Sequence, residues 1–312
     1  MTGNINSSIE LNQEKFRIVG CENLDAEKIN RKSITFWQDV WRRFKSNKVA
    51  VGAALLLLII TLLCIFGPYI SGYEYEVIDK NNRNVSPNTT YWFGTDDMGR
   101  DLFSRVCIGG RISIIIGIVC TFIMITIGIL IGGIAGYFGG LIDDILMRII
   151  EIIGSIPRLI IIILIQILLG RGIFQLVFAL TIVSWTATAR LVRGQILQLK
   201  EMEFILAEHS LGASPSRIIF KHLIPNVLGV IIVRMTFAVP EFIFEEAFLS
   251  FVGLGIQPPQ TSWGALAATA QGNLMFYPYQ LFFPCLFISL TMLSFNLMGD
   301  GLNDALDPKL RQ

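Results

Sequence analysis

Between Arg111 and Asp143 the chain carries no charged side chain, and a second uncharged stretch runs from Ala247 to Gly299. Such runs leave few options. A segment of roughly 20 mostly apolar residues is long enough to cross a bilayer, and in lipid only helices and closed barrels satisfy their own backbone groups. The runs here are continuous rather than alternating, so the expected structure is all-α. With 53% hydrophobic and 16% charged residues, the whole chain fits a polytopic membrane protein. Its net charge of +1 offers no footprint for nucleic acid.

Six spans are expected. They run over about 49–69, 112–137, 145–169 and 173–192, then from just after Pro225 to near Phe251, and finally over 278–298. The last uncharged stretch is too long for one helix, and Gly253, Gly255, Pro258, Pro259 and Gly264 interrupt it, so a loop is expected there. Lysines and arginines cluster before the first span (Arg42, Arg43, Lys45, Lys48) and between the fourth and fifth (Arg190, Arg193, Lys200, Arg217, Lys221). The excess of basic residues puts these segments, and both termini, in the cytoplasm. Residues 1–35 read as a polar cytoplasmic tail without the apolar centre of a signal peptide, and 49–312 as the membrane domain. In 36–48, Phe36, Trp37, Val40, Trp41 and Phe44 share a helical face. This is an amphipathic helix on the inner leaflet or the extended end of the first span. Gly128, Gly132, Gly136 and Gly140 recur every four residues, a groove in which another helix can lie close. Cys21, Cys64, Cys107, Cys120 and Cys285 lack metal or disulfide spacing and read as small apolar residues.

Between the fourth and fifth spans, residues 201–225 form a polar hairpin. A short helix through Glu203, Ala207 and Glu208 stops at Gly212, the usual residue for a left-handed exit. After Ala213, Ser214 can cap a second helix with Pro215 at its first position, followed by Arg217 and closed at Pro225. Such a knuckle gives a partner something to grip. On the opposite side, Gly94 and Thr95 make a turn, Asp96 and Asp97 are good helix starters, and Asp96/Arg100 and Asp101/Arg105 stand at ion-pair spacing. A self-paired cap and a surface shaping the outer mouth both fit Gly94, Thr95, Asp96, Gly99, Arg100 and Asp101. Within the membrane, Arg234, Glu241 and Glu245 share a face with Glu246 beside them. Charges at that depth pair or line a wet cavity. Arg234 either pairs with Glu241 or shares a wet cavity with it; pairing of Glu151 with Arg148 and Arg158 is expected; and Glu241, Glu245 and Glu246 are the translocation-path candidates. Neither a Gly-Lys dipeptide of a phosphate loop nor a catalytic cluster around His209 and His222 is present. The chain therefore reads as a membrane protein moved by another subunit rather than as an enzyme.

The ordered set of motifs resembles the permease subunits of peptide and nickel ABC importers, in particular the C-type subunit of oligopeptide and dipeptide systems. It includes Trp41-Arg42-Arg43, the 93–101 segment from Phe93 to Asp101, Tyr137-Phe138-Gly139-Gly140, Asp143, Met147-Arg148, Pro157, the 189–195 segment, the 246–255 segment and Gly299 to Pro308. The resemblance implies the type I importer permease architecture, with 201–225 as the coupling loop. There Leu206-Ala207-Glu208 replace the usual Glu-Ala-Ala, Gly212 matches, and Ile224-Pro225 replace Leu-Pro. It also implies a second permease subunit, two ATPase subunits that hold ATP and Mg, an extracytoplasmic binding protein, membrane lipid around the chain, and a peptide substrate. No cofactor is expected on this chain, and the place is a bacterial cytoplasmic membrane. Nickel cargo is the alternative within the family. A self-sufficient secondary transporter, the alternative outside it, would show inverted halves with broken mid-membrane helices and no coupling knuckle.

Overall fold

A computed structural model describes residues 35–307. Eleven α-helices fill it: α1 (Phe36–Ser46), α2 (Lys48–Ser71), α3 (Leu102–Phe138), α4 (Gly140–Gly154), α5 (Arg158–Leu169), α6 (Ile173–Lys200), α7 (Glu203–Ser210), α8 (Pro215–Arg217), α9 (Ile224–Phe251), α10 (Trp263–Gln271) and α11 (Tyr279–Leu306). A π-helical turn, Ile218–Leu223, joins α8 to α9. The expected tail 1–35 falls, but for Thr35, outside the described residues.

Among the described residues five helices are long and apolar enough to cross a membrane: α2, α3, α6, the rod Pro215–Phe251 and α11. The third expected span is not one helix. It is α4 and α5, bent by 80° at Ser155–Pro157. Pro157 lacks the N–H that would continue α4, and the residue before a proline is pushed out of helical geometry. Three other boundaries move as well. α3 starts at Leu102 rather than Ile112, because its first turns lie inside protein and need no lipid-compatible surface; Ser104 and Arg105 are both buried. α6 continues past Val192 to Lys200. The expected loop after the fifth span contains α10, whose Trp263 is wholly buried.

α3 and α6 are the centre of the bundle. Among the apolar windows, 56% of α6 is buried within the chain against 22% of α2 and of α11, so α2 and α11 are outer walls. The glycine stripe finds its partner in α6. A methyl group on Gly128 would stand 2.6 Å from Thr188 Cβ, and one on Gly136 would stand 2.9 Å from Ile196 Cβ. Gly132 meets Ala189 and Val192 in the same seam. Gly140 does not belong to the stripe: it opens α4 in free space, where the chain turns the corner with Gly139.

α1 is separated from α2 at Asn47, whose side chain accepts from Ala50 N (3.1 Å) and caps α2. Val40 and Phe44 of α1 pack on Ala50, Ala305 and Leu306, while Phe36, Trp37 and Trp41 stay exposed. In α2, Pro68 removes the donor that would bond the Cys64 carbonyl. Arg111 of α3 supplies a replacement, its Nε and Nη2 each 2.6 Å from the carbonyls of Cys64 and Ile65. An unsatisfied carbonyl in the membrane costs several kcal/mol, so this contact fixes where α2 lies on α3. Cys64, Cys107 and Cys120 are buried free thiols, and Cys285 is exposed and free. Cys21 lies outside the described residues.

Candidate coupling surface and intramembrane charges

The knuckle is built as its sequence requires. α7 ends at Ser210 with Leu211 as its cap, and Gly212 adopts φ +77°, a conformation that costs a side-chain-bearing residue about 1–2 kcal/mol. Ala213 N–H donates to Glu208 O (3.1 Å), closing the helix exit. Ser214 Oγ accepts from Arg217 N (3.4 Å), and Pro215 takes the first helical position. Two sets of contacts hold the knuckle to the bundle. Ile205, Ile218 and Leu223 are wholly buried in the main core. His209 stacks on Tyr137 with ring centroids 5.9 Å apart, and its Nε2 lies 3.1 Å from the Tyr137 hydroxyl. Within the knuckle, His222 Nε2 lies 3.4 Å from Glu208 Oε1. Glu203, Ala207, Gly212, Ser214, Pro215, Arg217 and Pro225 are exposed, and Ala213 is half-buried. Met202, Phe204, Leu206 and Leu211 are exposed beside them, Leu211 to 83%. The surface is therefore apolar at its tip and rigid at its root.

Pro225 does not end the hairpin. It sits at the second position of α9, just past the π turn in which Ile224 N–H reaches back to Ile219 O. The second arm and the fifth span are one rod of 37 residues, Pro215–Phe251, about 55 Å long at 1.5 Å per residue. The sequence hides that continuity, because a proline between apolar runs reads as a boundary although Pro225 sits in the first turn of α9. At the foot of α6, the Arg193 guanidinium grips both oxygens of Asp143 in α4, a tie that no sequence spacing announced.

Farther along the rod lie the charges. Arg234 forms a pair with Glu241, two hydrogen bonds of 3.0 Å each. Arg148 meets Glu151 at 3.1 Å. Arg158 does not join them. The bend at Pro157 carries it to α9, where it binds Glu245 at 2.7 Å with its guanidinium 5.5 Å from the Phe242 ring centroid. Glu151 and Arg158 share a face only on a straight helix, and the 80° bend between them removes it. Glu245 is thus a partly exposed, paired carboxylate. Glu246 has a different setting. It is entirely enclosed, accepting from Ser113 Oγ and Ser250 Oγ at 2.8 Å each, while Ser113 also receives Trp263 N–H at 3.3 Å. It ties α3, α9 and α10 together and presents nothing to a passing solute in this conformation.

The outer segment is likewise an internal staple. Asp96 does not start a helix. Its Oδ1 accepts from Met98 N and Arg100 N (2.9 Å each), its Oδ2 takes Arg100 Nε at 2.7 Å, and Arg105 Nε stands 3.5 Å away. Asp101 caps α3 through Ser104 N (2.8 Å) instead of pairing with Arg105. Burial pushes the Asp101 carboxyl above its ordinary range, against the pull of the Ser104 hydrogen bonds. Thr95 O accepts from Tyr279 and Gln280 of α11, 3.1 and 3.0 Å. Gly94 and Gly99 are buried, Arg100 is half-buried, and of this stretch Asp97 and Met98 face outward. Among the described residues no three His, Cys, Asp or Glu side chains converge to hold a metal ion. The arrangement can couple a displacement at one membrane face to charges within the bundle.

Residues 128–312 match the family described as binding-protein-dependent transport system inner membrane component, and residues 35–87 match the N-terminal TM domain of oligopeptide transport permease C. The chain is 48% identical over 288 residues to the oligopeptide transport system permease protein OppC of Bacillus subtilis (strain 168), covering 92% of this chain and 94% of that one. It is 46% identical over 303 residues to the dipeptide transport system permease protein DppC of the same organism, covering 97% and 92%. The OppC of Escherichia coli (strain K12) is 42% identical over 288 residues, with 92% and 95% covered. The inward-facing MetNI methionine ABC transporter shares the fold, with TM-score 0.53 and 20% identity over 65% of this chain and 96% of that chain. A multi-pass helical bundle, a polar knuckle continuous with a membrane rod, and near-full-length likeness to such permeases agree: this chain belongs to the family of inner-membrane components of binding-protein-dependent transport systems.

Proposed function

We propose that this chain is one permease half of an ATP-driven peptide importer, moved by ATPase subunits that grip residues 201–225 from the cytoplasm. The observation that carries it is the unbroken rod Pro215–Phe251. A push on Ser214, Pro215 or Arg217 is delivered to Glu241 and Glu245 without a hinge between, apart from the π turn. The knuckle's apolar tip supplies area for a docked partner, and its packed root keeps the displacement from being absorbed locally. The relatives named for oligopeptide and dipeptide transport favour peptide cargo and give no support to nickel.

In this reading both termini face the cytoplasm, a second permease subunit closes the path, and an extracytoplasmic binding protein delivers the peptide beside Asp97 and Met98. ATP and Mg sit on the partner ATPases. Differential affinity of nucleotide for the two settings of the knuckle drives alternating access. Arg158 and Glu245, paired but partly exposed, are the path residues best placed to meet a peptide's charged ends, with Glu241 next to them. Glu246 acts behind them as structural support.

The test is peptide uptake in vesicles holding this chain, its partner permease, the ATPases and the binding protein. G212V places a β-branched residue at positive φ; it should leave the complex assembled and lower ATP-dependent uptake by at least tenfold. Uptake that persists without any nucleotide-hydrolysing subunit would establish the secondary-transporter alternative instead.

A further inference from the structure

Charges of both signs line one pocket at the end of α2 without meeting. Tyr69, Tyr73, Glu74, Tyr75, Glu76 and Arg111 surround a cavity of about 530 Å³. Arg111 is anchored there by the Cys64 and Ile65 carbonyls, with its guanidinium 5.7 Å from the Tyr69 ring centroid. Carbonyls occupy donors but leave the positive charge uncancelled, and a guanidinium has further N–H groups to give. Tyr75 hydrogen-bonds Glu76, yet among the described residues Arg111, Glu74 and Glu76 form no ion pair. An anion alone would be repelled by the two carboxylates, and a cation alone by Arg111. A ligand carrying both signs completes the set.

The position says which kind of ligand. α2 ends at Ser71, so the pocket stands at the edge of the apolar layer, the level at which tyrosines are enriched. It lies on the face opposite the knuckle, since α3 meets His209 only at its other end, through Tyr137. Toward the middle of the membrane both helices turn oily side chains outward. Ile65 and Phe66 stand one turn before Tyr69, and Ile115 one turn after Arg111, all of them exposed. A two-signed polar cup over an exposed apolar face matches the division of a phospholipid into headgroup and chains.

We propose that this pocket holds the headgroup of one zwitterionic aminophospholipid. Its ammonium lies between Glu74 and Glu76 among the tyrosine rings, its phosphate on Arg111, and an acyl chain along Phe66 and Ile115. That the leaflet is the outer one rests on the preceding reading. A phosphate on Arg111 neutralises the residue that fixes α2 on α3, so the lipid ties an outer wall of the bundle to its centre.

The test uses the full chain, delipidated in detergent and titrated with phosphatidylethanolamine or phosphatidylglycerol under native mass spectrometry. One phosphatidylethanolamine should be retained in preference to phosphatidylglycerol, which carries the phosphate without the ammonium. E74Q combined with E76Q, both at exposed positions, should weaken that retention roughly tenfold, the worth of a charge-assisted hydrogen bond, and leave the thermal transition in place. Excess trialanine, a soluble zwitterion, should not displace the lipid. Equal retention of the two lipids, an undiminished preference in the double variant, or displacement by trialanine overturns the proposal. So does efficient cross-linking of a Y69C variant to another subunit in the assembled transporter, which would show protein in the pocket. Lipid retention is read without ATPases, so a failure of ATP coupling leaves this result standing and is distinguishable from it.

Discussion

The Glu246 cluster and the knuckle lie at opposite ends of the same rod and are made of opposite material. Around Glu246 a carboxylate, two serine hydroxyls and the Trp263 amide are locked out of water, and three helices cannot separate without exposing an unpartnered group. Around Gly212 the backbone carries a left-handed turn in open space, and apolar side chains face outward. One end stores its free energy in internal contacts; the other leaves surface unspent for a partner. In the proposed reading the rod is a lever that needs both: a fixed end defined by satisfied polar groups and a working end whose contacts a partner completes.

Three substitutions would break or sharpen this contrast. The largest effect is expected at the fixed end. Glu246→Ala strips Ser113 and Ser250 of their shared acceptor and leaves a cavity, at a cost of about 2–4 kcal/mol, read as a lowered thermal transition of the purified chain. An unchanged transition would mean that Glu246 does not tie the helices together. In the middle of the bundle, Gly132→Val adds bulk against Val192, where even a single added Cβ stands 2.9 Å from Val192 Cβ. About 1–3 kcal/mol should be lost by overpacking, again visible on heating, together with weakened α3–α6 cross-linking between introduced cysteines. At the working end, Leu211→Ser should alter stability by no more than about 0.5 kcal/mol yet reduce co-purification of the ATPase severalfold. A stability loss there, with ATPase binding intact, would erase the distinction between the two ends.

Much of this was legible from single stretches of chain. The five long helices follow from apolar length alone, since a bilayer imposes one geometry on any such run. The knuckle's turn was readable because Gly212, Ser214 and Pro215 act through their own backbone chemistry and need no distant partner. The glycine stripe at 128, 132 and 136 announced a close neighbour, but its identity, α6, depends on which backbone fits the groove. The outer segment was half legible. Asp96 and Arg100 pair within one turn, whereas Arg105 abandons Asp101 for Asp96 because the intervening chain folds back as a bridge between Thr95 and Asp101.

The fate of Arg158 shows where local reading ends. Its spacing from Glu151 is right for a pair only if the helix is straight; one proline redirects it to Glu245, 87 residues away in sequence. What the sequence by itself determined is whatever arises from neighbours along the chain: apolar length, caps, positive-φ glycines and pairs within a few turns. The tertiary structure alone decided which charges meet, which carboxylate is enclosed and that the knuckle's second arm is the membrane rod. Those outcomes depend on the relative placement of helices, and that placement is set by the summed packing of many surfaces at once.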